Sequence, residues 1–247
     1  MKFAITPCPN DTFTYFGLID GAVESDFEFV FDDIENLNLA AERGTYPITK
    51  MSFAQYAKCA DKYELLDAGA ALGMGTGPVL VGRGEIDADC VFAVPGINTT
   101  AALLLKHKFG KNVKMRPMHF RKIADAVAAG EFRAGVLIHE GRFVYESLGL
   151  ELLCDLGAEW SNSTGLPVPL GCICARRDFS ERRPAIESAI RASLRAAFAD
   201  PEKTYPYVAN MAQYLDPDVL KKHIYAFVND YSFDISPIRK KLLDSLC

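Results

Sequence analysis

No segment of this chain approaches the roughly 20 consecutive apolar residues that a bilayer-spanning helix needs. The opening stretch Met-Lys-Phe-Ala-Ile-Thr-Pro-Cys-Pro-Asn-Asp has a single short apolar run, which predicts no secretory signal peptide. Long basic runs are missing as well. The pairs Lys221-Lys222 and Lys240-Lys241 read as solvated helix faces, and the net charge of −5 argues against a nucleic-acid partner. Neither Cys-x-x-Cys nor His-Glu-x-x-His occurs, so the spacings that hold a metal are absent and no metal is expected. Seven cysteines without an export signal predict reduced thiols and a cytoplasmic protein.

What remains is the composition of an ordinary soluble globular protein, long enough for one large or two modest domains. Lys2–Thr6 reads as a strand stopped by Pro7-Cys8-Pro9, with Asn10 or Asp11 capping a helix that runs to Gly21. Strands are predicted over 26–31 and 48–51, a helix over 35–43, and Ser52 as the cap of a short helix. Leu72-Gly-Met-Gly-Thr-Gly-Pro78 superficially resembles a dinucleotide loop. It leads into a strand, Val79–Val81, rather than a helix, so it reads as flexible backbone before a crossover.

The pattern restarts at Asp89. Strands are predicted over 90–94, 113–115, 134–138 and 151–154, with helices from Asn98-Thr99-Thr100 and from His119. Residues 160–171 are rich in Asn, Ser, Thr, Gly and Pro and read as a loop before a strand at 172–175, where Cys172 and Cys174 face one side. Beyond Ser180 the chain is helical, with starts at Ser180, Asp216-Pro217 and Ser236-Pro237. His107, His119 and His223 read as surface or helix-end groups.

Assembled, these elements predict two α/β lobes with a cleft between them, one from residues 1–82 and 173–247 and the other from 83–172. Parallel strands gather their carboxyl ends on one rim, where ligand chemistry concentrates. Four predicted ends carry polar groups: the turn with Asn10, Asp11 and Thr12; Ser52; the Asn98, Thr99 and Thr100 group; and His139. The Asn98–Thr100 group, opening a helix with three polar side chains, suits an anion. His139 follows the apolar run Val136-Leu137-Ile138 and suits a general base, with Glu140 as a candidate orienting group. Cys8, between two prolines at a helix start, is a lesser candidate nucleophile.

Four motifs, Thr6-Pro-Cys-Pro-Asn-Asp-Thr-Phe13, Gly75-Thr-Gly-Pro78, Asn98-Thr-Thr100 and His139-Glu-Gly-Arg-Phe143, together resemble the 1,4-dihydroxy-6-naphthoate synthases of the futalosine route to menaquinone. The likeness extends over essentially the whole chain. Thr6 departs from the serine of the family's pattern but keeps a hydroxyl. The resemblance implies a fold like the type II periplasmic binding proteins and a carbon–carbon lyase that needs no cofactor. Its substrate is a small-molecule carboxylate, cyclic dehypoxanthinyl futalosine, cleaved to 1,4-dihydroxy-6-naphthoate. It also implies His139 as proton acceptor, with Lys50, Met51 and Ser52 and the Thr99-Thr100 pair holding the substrate. Two alternatives share the fold: a receptor or sensor that only binds a small anion, and chorismate dehydratase. The motif around Cys8 and the one around His139 favour the naphthoate synthase.

Overall fold

The computed structural model describes residues 1–86, 89–212 and 216–246. The chain divides into two compact units, Met1–Leu72 with Pro169–Cys247, and Gly73–Val168. The first boundary falls ten residues earlier than the one expected at 82/83, because 79–82 hydrogen-bonds wholly within the second unit's sheet. The second moves from 172/173 to 168/169, since the strand from Gly171 onward pairs with the first unit's sheet.

In chain order the elements before the first boundary are β1 (Lys2–Ile5), α1 (Pro9–Ile19), β2 (Glu28–Phe31), α2 (Ile34–Glu42), β3 (Ile48–Ser52), α3 (Phe53–Cys59), β4 (Tyr63–Leu65) and β5 (Ala71–Gly73). The second unit contributes β6 (Val79–Gly82), β7 (Phe92–Val94), α4 (Thr100–Phe109), β8 (Met115–Pro117), α5 (Phe120–Ala128) and β9 (Ala134–Leu137). Two 3-10 turns, His139–Phe143 and Tyr145–Leu148, lead to β10 (Glu151–Asp155) and α6 (Leu156–Thr164). The chain then returns through β11 (Val168–Arg176) to α7 (Arg183–Ala199), α8 (Pro201–Met211), α9 (Pro217–Phe227), α10 (Asp230–Phe233) and α11 (Arg239–Asp244).

The first unit's sheet runs β2-β1-β3-β11-β4, with β5 also on β11. β1 is parallel to both β2 and β3, so the carboxyl ends of these three strands share a rim. β11 closes the sheet antiparallel to β3 and β4. Phe3, Ile5, Phe13, Tyr15, Ile48, Ile173, Ile190 and Leu194 form the core beneath α1 and α7. Each such side chain contributes roughly 1.5–3 kcal/mol on burial. The second sheet runs β10-β6-β9-β7-β8. Here β7 lies parallel to β8 and β9, which again gathers three carboxyl ends on one rim. Val79, Val81, Ile123, Val127 and Leu137 are among its core residues.

The loop expected over 160–171 is a correction. Leu156–Thr164 is helical, and β11 already begins at Val168. Ser163 and Thr164 lie in the last turn, where their hydroxyls donate to the Trp160 carbonyl at 3.1 and 2.7 Å. Gly165, at φ 69°, ends the helix in the left-handed conformation that glycine adopts cheaply. Polar composition marked the helix end but not the buried Trp160 that anchors the helix before it. The strand expected at 113–115 is shifted to Met115–Pro117.

Candidate active site

At the rim of the first unit, α1 begins earlier than expected, its cap lying two residues before Asn10 and three before Asp11. Cys8 occupies the cap position, with no side-chain cap bond, and Pro9 is the first helical residue. Proline's ring presets the helical φ and removes an N–H that would have no partner there. Asn10 and Asp11 therefore do not cap the helix, and their side chains serve another purpose. Asp11 Oδ2 accepts from the Thr6 backbone N–H at 3.1 Å and from Thr6 Oγ1 at 2.5 Å. Asp11 Oδ1 accepts from Asn10 Nδ2 at 2.8 Å and from the Lys50 ammonium. Four donors on two oxygens compensate a carboxylate whose side chain is only 3% exposed, beside a lysine at 6%. Burial first, and then this carboxylate, push the Tyr15 phenol well above its ordinary pKa.

Lys50 reaches Asp11 from the middle of β3, where its stem crosses Gly171 of β11: a Cβ there would lie 2.7 Å from Lys50 Cε. Met51 is fully buried. Ser52 stands at the cap position of α3 without capping it. Its backbone N–H donates to Asn38 Oδ1 at 2.9 Å, and its Oγ accepts from Asn38 Nδ2 at 3.1 Å. Thr12 Oγ1 donates to the Cys8 carbonyl at 3.0 Å, a bond internal to the helix start. Lys50, Asp11 and Asn10 thus form one cluster with Thr6, while Thr12 and Ser52 have separate attachments. Cys8 is buried. The sulfurs of Cys172 and Cys174 lie 3.7 Å apart as thiols, and burial raises the Cys174 pKa well above its ordinary value, which makes it unreactive.

In the second unit the rim is formed by β7, β8 and β9. Thr99 caps α4: its Oγ1 accepts from the Ala102 N–H at 3.3 Å and donates to the Gly96 carbonyl at 2.8 Å. Thr100 opens the helix and is buried, and Asn98 is half-buried. Lys106 and Lys108 occupy the last turn of α4, where positive charge complements the helix dipole.

β9, on the neighbouring parallel strand, ends at Leu137. His139 then turns the chain at φ 55°, the one non-glycine residue with positive φ among those described. For a side-chain-bearing residue that region costs on the order of 1–3 kcal/mol, and such residues concentrate at functional sites. The half-buried ring packs edge-on against Phe120 at the start of α5, with centroids 4.9 Å apart. Glu140 beside it is buried. Arg142, in the same 3-10 turn, donates to the Gly77 carbonyl and pairs with Asp155 Oδ2 at 3.0 Å. Gly77 packs against Gly157, where a Cβ would meet Gly77 N at 2.5 Å, so the Gly75–Pro78 loop lies flat on the start of α6. That loop leads into β6, as its sequence predicts, and Arg142 ties it to the turn carrying His139.

Thr6, Asn38, Phe120 and His223 join these clusters without having been among the expected site residues. His223 corrects an expectation: it is 1% exposed, not a surface group. His223 and Asn38 each carried a signal. Leu220, His223, Ile224 and Phe227 fall at helical spacing on one face of α9, and Ile34, Leu37, Asn38 and Ala41 do the same on α2. A polar residue within an apolar stripe is buried and must find partners. His107 is exposed and His119 caps α5, as expected.

Among the described residues no three His, Cys, Asp or Glu side chains converge to hold a metal ion, and no helix is long and apolar enough to cross a membrane. The family model described as menaquinone biosynthesis matches residues 1–246. A 1,4-dihydroxy-6-naphthoate synthase of Thermus thermophilus is 42% identical over 240 residues, covering 95% of this chain and 88% of that protein. A crystal structure of an Archaeoglobus fulgidus protein superposes with a TM-score of 0.94 at 37% identity, over 99% of this chain and 94% of that one. A Candida albicans protein described as having the generic periplasmic binding protein fold superposes at 0.71 with 14% identity, over 100% of this chain and 89% of its own. That likeness shows the fold: α/β, of the periplasmic-binding-protein type. The match along nearly the whole length, with the relative's name, places the chain in the menaquinone biosynthesis family.

Proposed function

We propose that this chain is a 1,4-dihydroxy-6-naphthoate synthase, a carbon–carbon lyase that releases the naphthoate from cyclic dehypoxanthinyl futalosine, with His139 as the general base. The observation that carries the role of His139 is its left-handed backbone at the carboxyl end of β9, a strained conformation held by the packing around it. Forming an aromatic ring while a carbon–carbon bond breaks requires protons to leave carbons near carbonyl or hydroxyl groups. Imidazole titrates near neutrality and accepts such protons, and a positioned base typically contributes ~10²–10⁴-fold.

On this reading Lys50, Met51, Ser52 and the Asn10, Asp11 and Thr12 turn of the first unit hold substrate, as do Asn98, Thr99 and Thr100 of the second. The start of α4 suits the carboxylate, since N-terminal backbone N–H groups and the helix dipole both favour an anion. Incubating the purified protein with cyclic dehypoxanthinyl futalosine and following the naphthoate by mass tests the reading. His139→Ala is expected to lower turnover by about 10²-fold or more. Binding without turnover by the wild type would favour an anion receptor, and conversion of chorismate would favour the dehydratase.

A further inference from the structure

α9 presents a buried histidine to the cluster at the start of α1, 213 positions away in sequence. His223 Nε2 lies 3.0 Å from Asn10 Oδ1, and its ring packs edge-on against Phe227 with centroids 5.0 Å apart. The direction of that hydrogen bond follows from its neighbours. Lys50 donates to Asp11 Oδ1 and Thr6 to Oδ2, so the Asp11 oxygens act as acceptors. Asn10 must therefore turn its amide nitrogen to Asp11 Oδ1, 2.8 Å away, and its carbonyl oxygen to the imidazole. A carbonyl oxygen cannot donate, so Nε2 carries a proton in both the neutral and the charged ring, and only the Nδ1–H tautomer is excluded.

We propose that His223 is a positioning residue: its Nε2–H fixes the Asn10 amide, and through it the oxygens of Asp11 and the Lys50 ammonium. The proposal rests on the reading that this cluster holds substrate. The imidazole holds the oxygen end of the amide and Asp11 the nitrogen end, so removing the imidazole leaves the amide held at its nitrogen end alone. Its buried oxygen then lacks that donor, and the amide plane can tilt about the remaining bond, which loosens the cluster at the rim.

Two substitutions separate positioning from packing. His223→Phe fills the same volume beside Phe227 but cannot donate, whereas the amide nitrogen of His223→Gln reaches the place of Nε2. Expected is a rise in KM of about tenfold or more for the Phe variant with a smaller change in kcat, about 1.4 kcal/mol of binding. The Gln variant should recover most of that loss. Asn10→Ala added to His223→Phe should cost little beyond either single change, because both act on one network. Equal KM values for wild type and His223→Phe would overturn the proposal, as would a Gln variant no better than Phe at similar melting temperature. Long-range ¹H–¹⁵N spectra of the wild-type ring need no substrate and test the contact itself. An Nδ1–H tautomer there would overturn the proposal, whatever the variants do. Absence of wild-type turnover would sink the naphthoate reading alone and leave that spectrum to decide the contact.

Discussion

In the first unit Asp11 gathers four hydrogen-bond donors, Lys50 is neutralised at contact, and Asn10 is held from both ends. In the second unit His139 sits on a backbone conformation that disfavours any side chain, in a short 3-10 turn fastened by Arg142 to the loop at Gly77 and to Asp155. One region has its charges compensated and its geometry multiply determined. The other holds a titratable ring in a conformation the surrounding structure imposes. Compensation of that kind suits a group that must present a fixed shape and charge to a ligand. Imposed strain suits a group that reacts, because relaxing it would move the ring. The contrast is physical and can be broken from either side.

The largest effect is expected on the compensated side. Lys50→Met keeps much of the stem that lies on Gly171 but removes the ammonium, leaving the Asp11 carboxylate buried with three neutral donors. Removing one partner of a buried pair costs about 3–5 kcal/mol. Urea unfolding should show that loss, and adding Asp11→Asn should restore a good part of it. A loss below about 1 kcal/mol would equate the pair with a surface ion pair and dissolve the contrast.

A smaller effect in stability, with a larger one in turnover, is expected at Arg142. Its guanidinium contacts the Gly77 carbonyl and Asp155 at once, which the single ammonium of Arg142→Lys cannot do with the same geometry. The pair is partly solvated, with side-chain exposures of 15% and 25%, so the unfolding free energy should fall by only about 1–1.5 kcal/mol. Turnover should fall by about tenfold, because the turn carrying His139 loses one of the two contacts that Arg142 makes, and the proposed general-base action depends on position. A variant that loses stability but keeps full turnover would show that the turn needs no fastening.

The outlines of both units were legible because alternation and apolar runs report directly which strands are buried. The place of His139 just beyond a buried strand was legible as well, since an apolar β-branched run ending in a titratable ring is a local pattern. The strained φ was not, because nothing in His-Glu-Gly-Arg-Phe demands it. It arises from where β9 ends and what the turn packs on. The Asp11–Lys50 pair joins residues 39 positions apart, and His223–Asn10 joins residues 213 apart, so local periodicity could at best report that each was buried. The helix at 156–164 was obscured for the opposite reason. Its last turn is built from residues that also make loops, and its large buried side chains, Leu156 and Trp160, are too few to set a period.

The smallest expected effect is the most direct test of strain at His139. His139→Ala and His139→Gly both remove the proposed base, so both should lose turnover by about 10²-fold or more, and both lose the ring contact with Phe120. They differ in one physical respect. At an ordinary position glycine is less stable than alanine by roughly 0.5–1 kcal/mol, because its unfolded chain has more freedom to lose. At φ 55° alanine keeps a Cβ that crowds the carbonyl, a cost of roughly 1–2 kcal/mol that glycine escapes. The two terms oppose, and the steric one is larger, so the Gly variant should be more stable than the Ala variant by about 0.5–1 kcal/mol. The sign is the informative quantity, since it reverses only where the backbone is left-handed. Urea midpoints measured side by side, with equal m-values, resolve a difference of that size. If Ala proves the more stable, the backbone at 139 is unstrained in solution. Of the two regions compared, only the first unit's cluster would then remain over-determined, and the proposed base would owe its position to contacts such as those of Arg142 and Phe120.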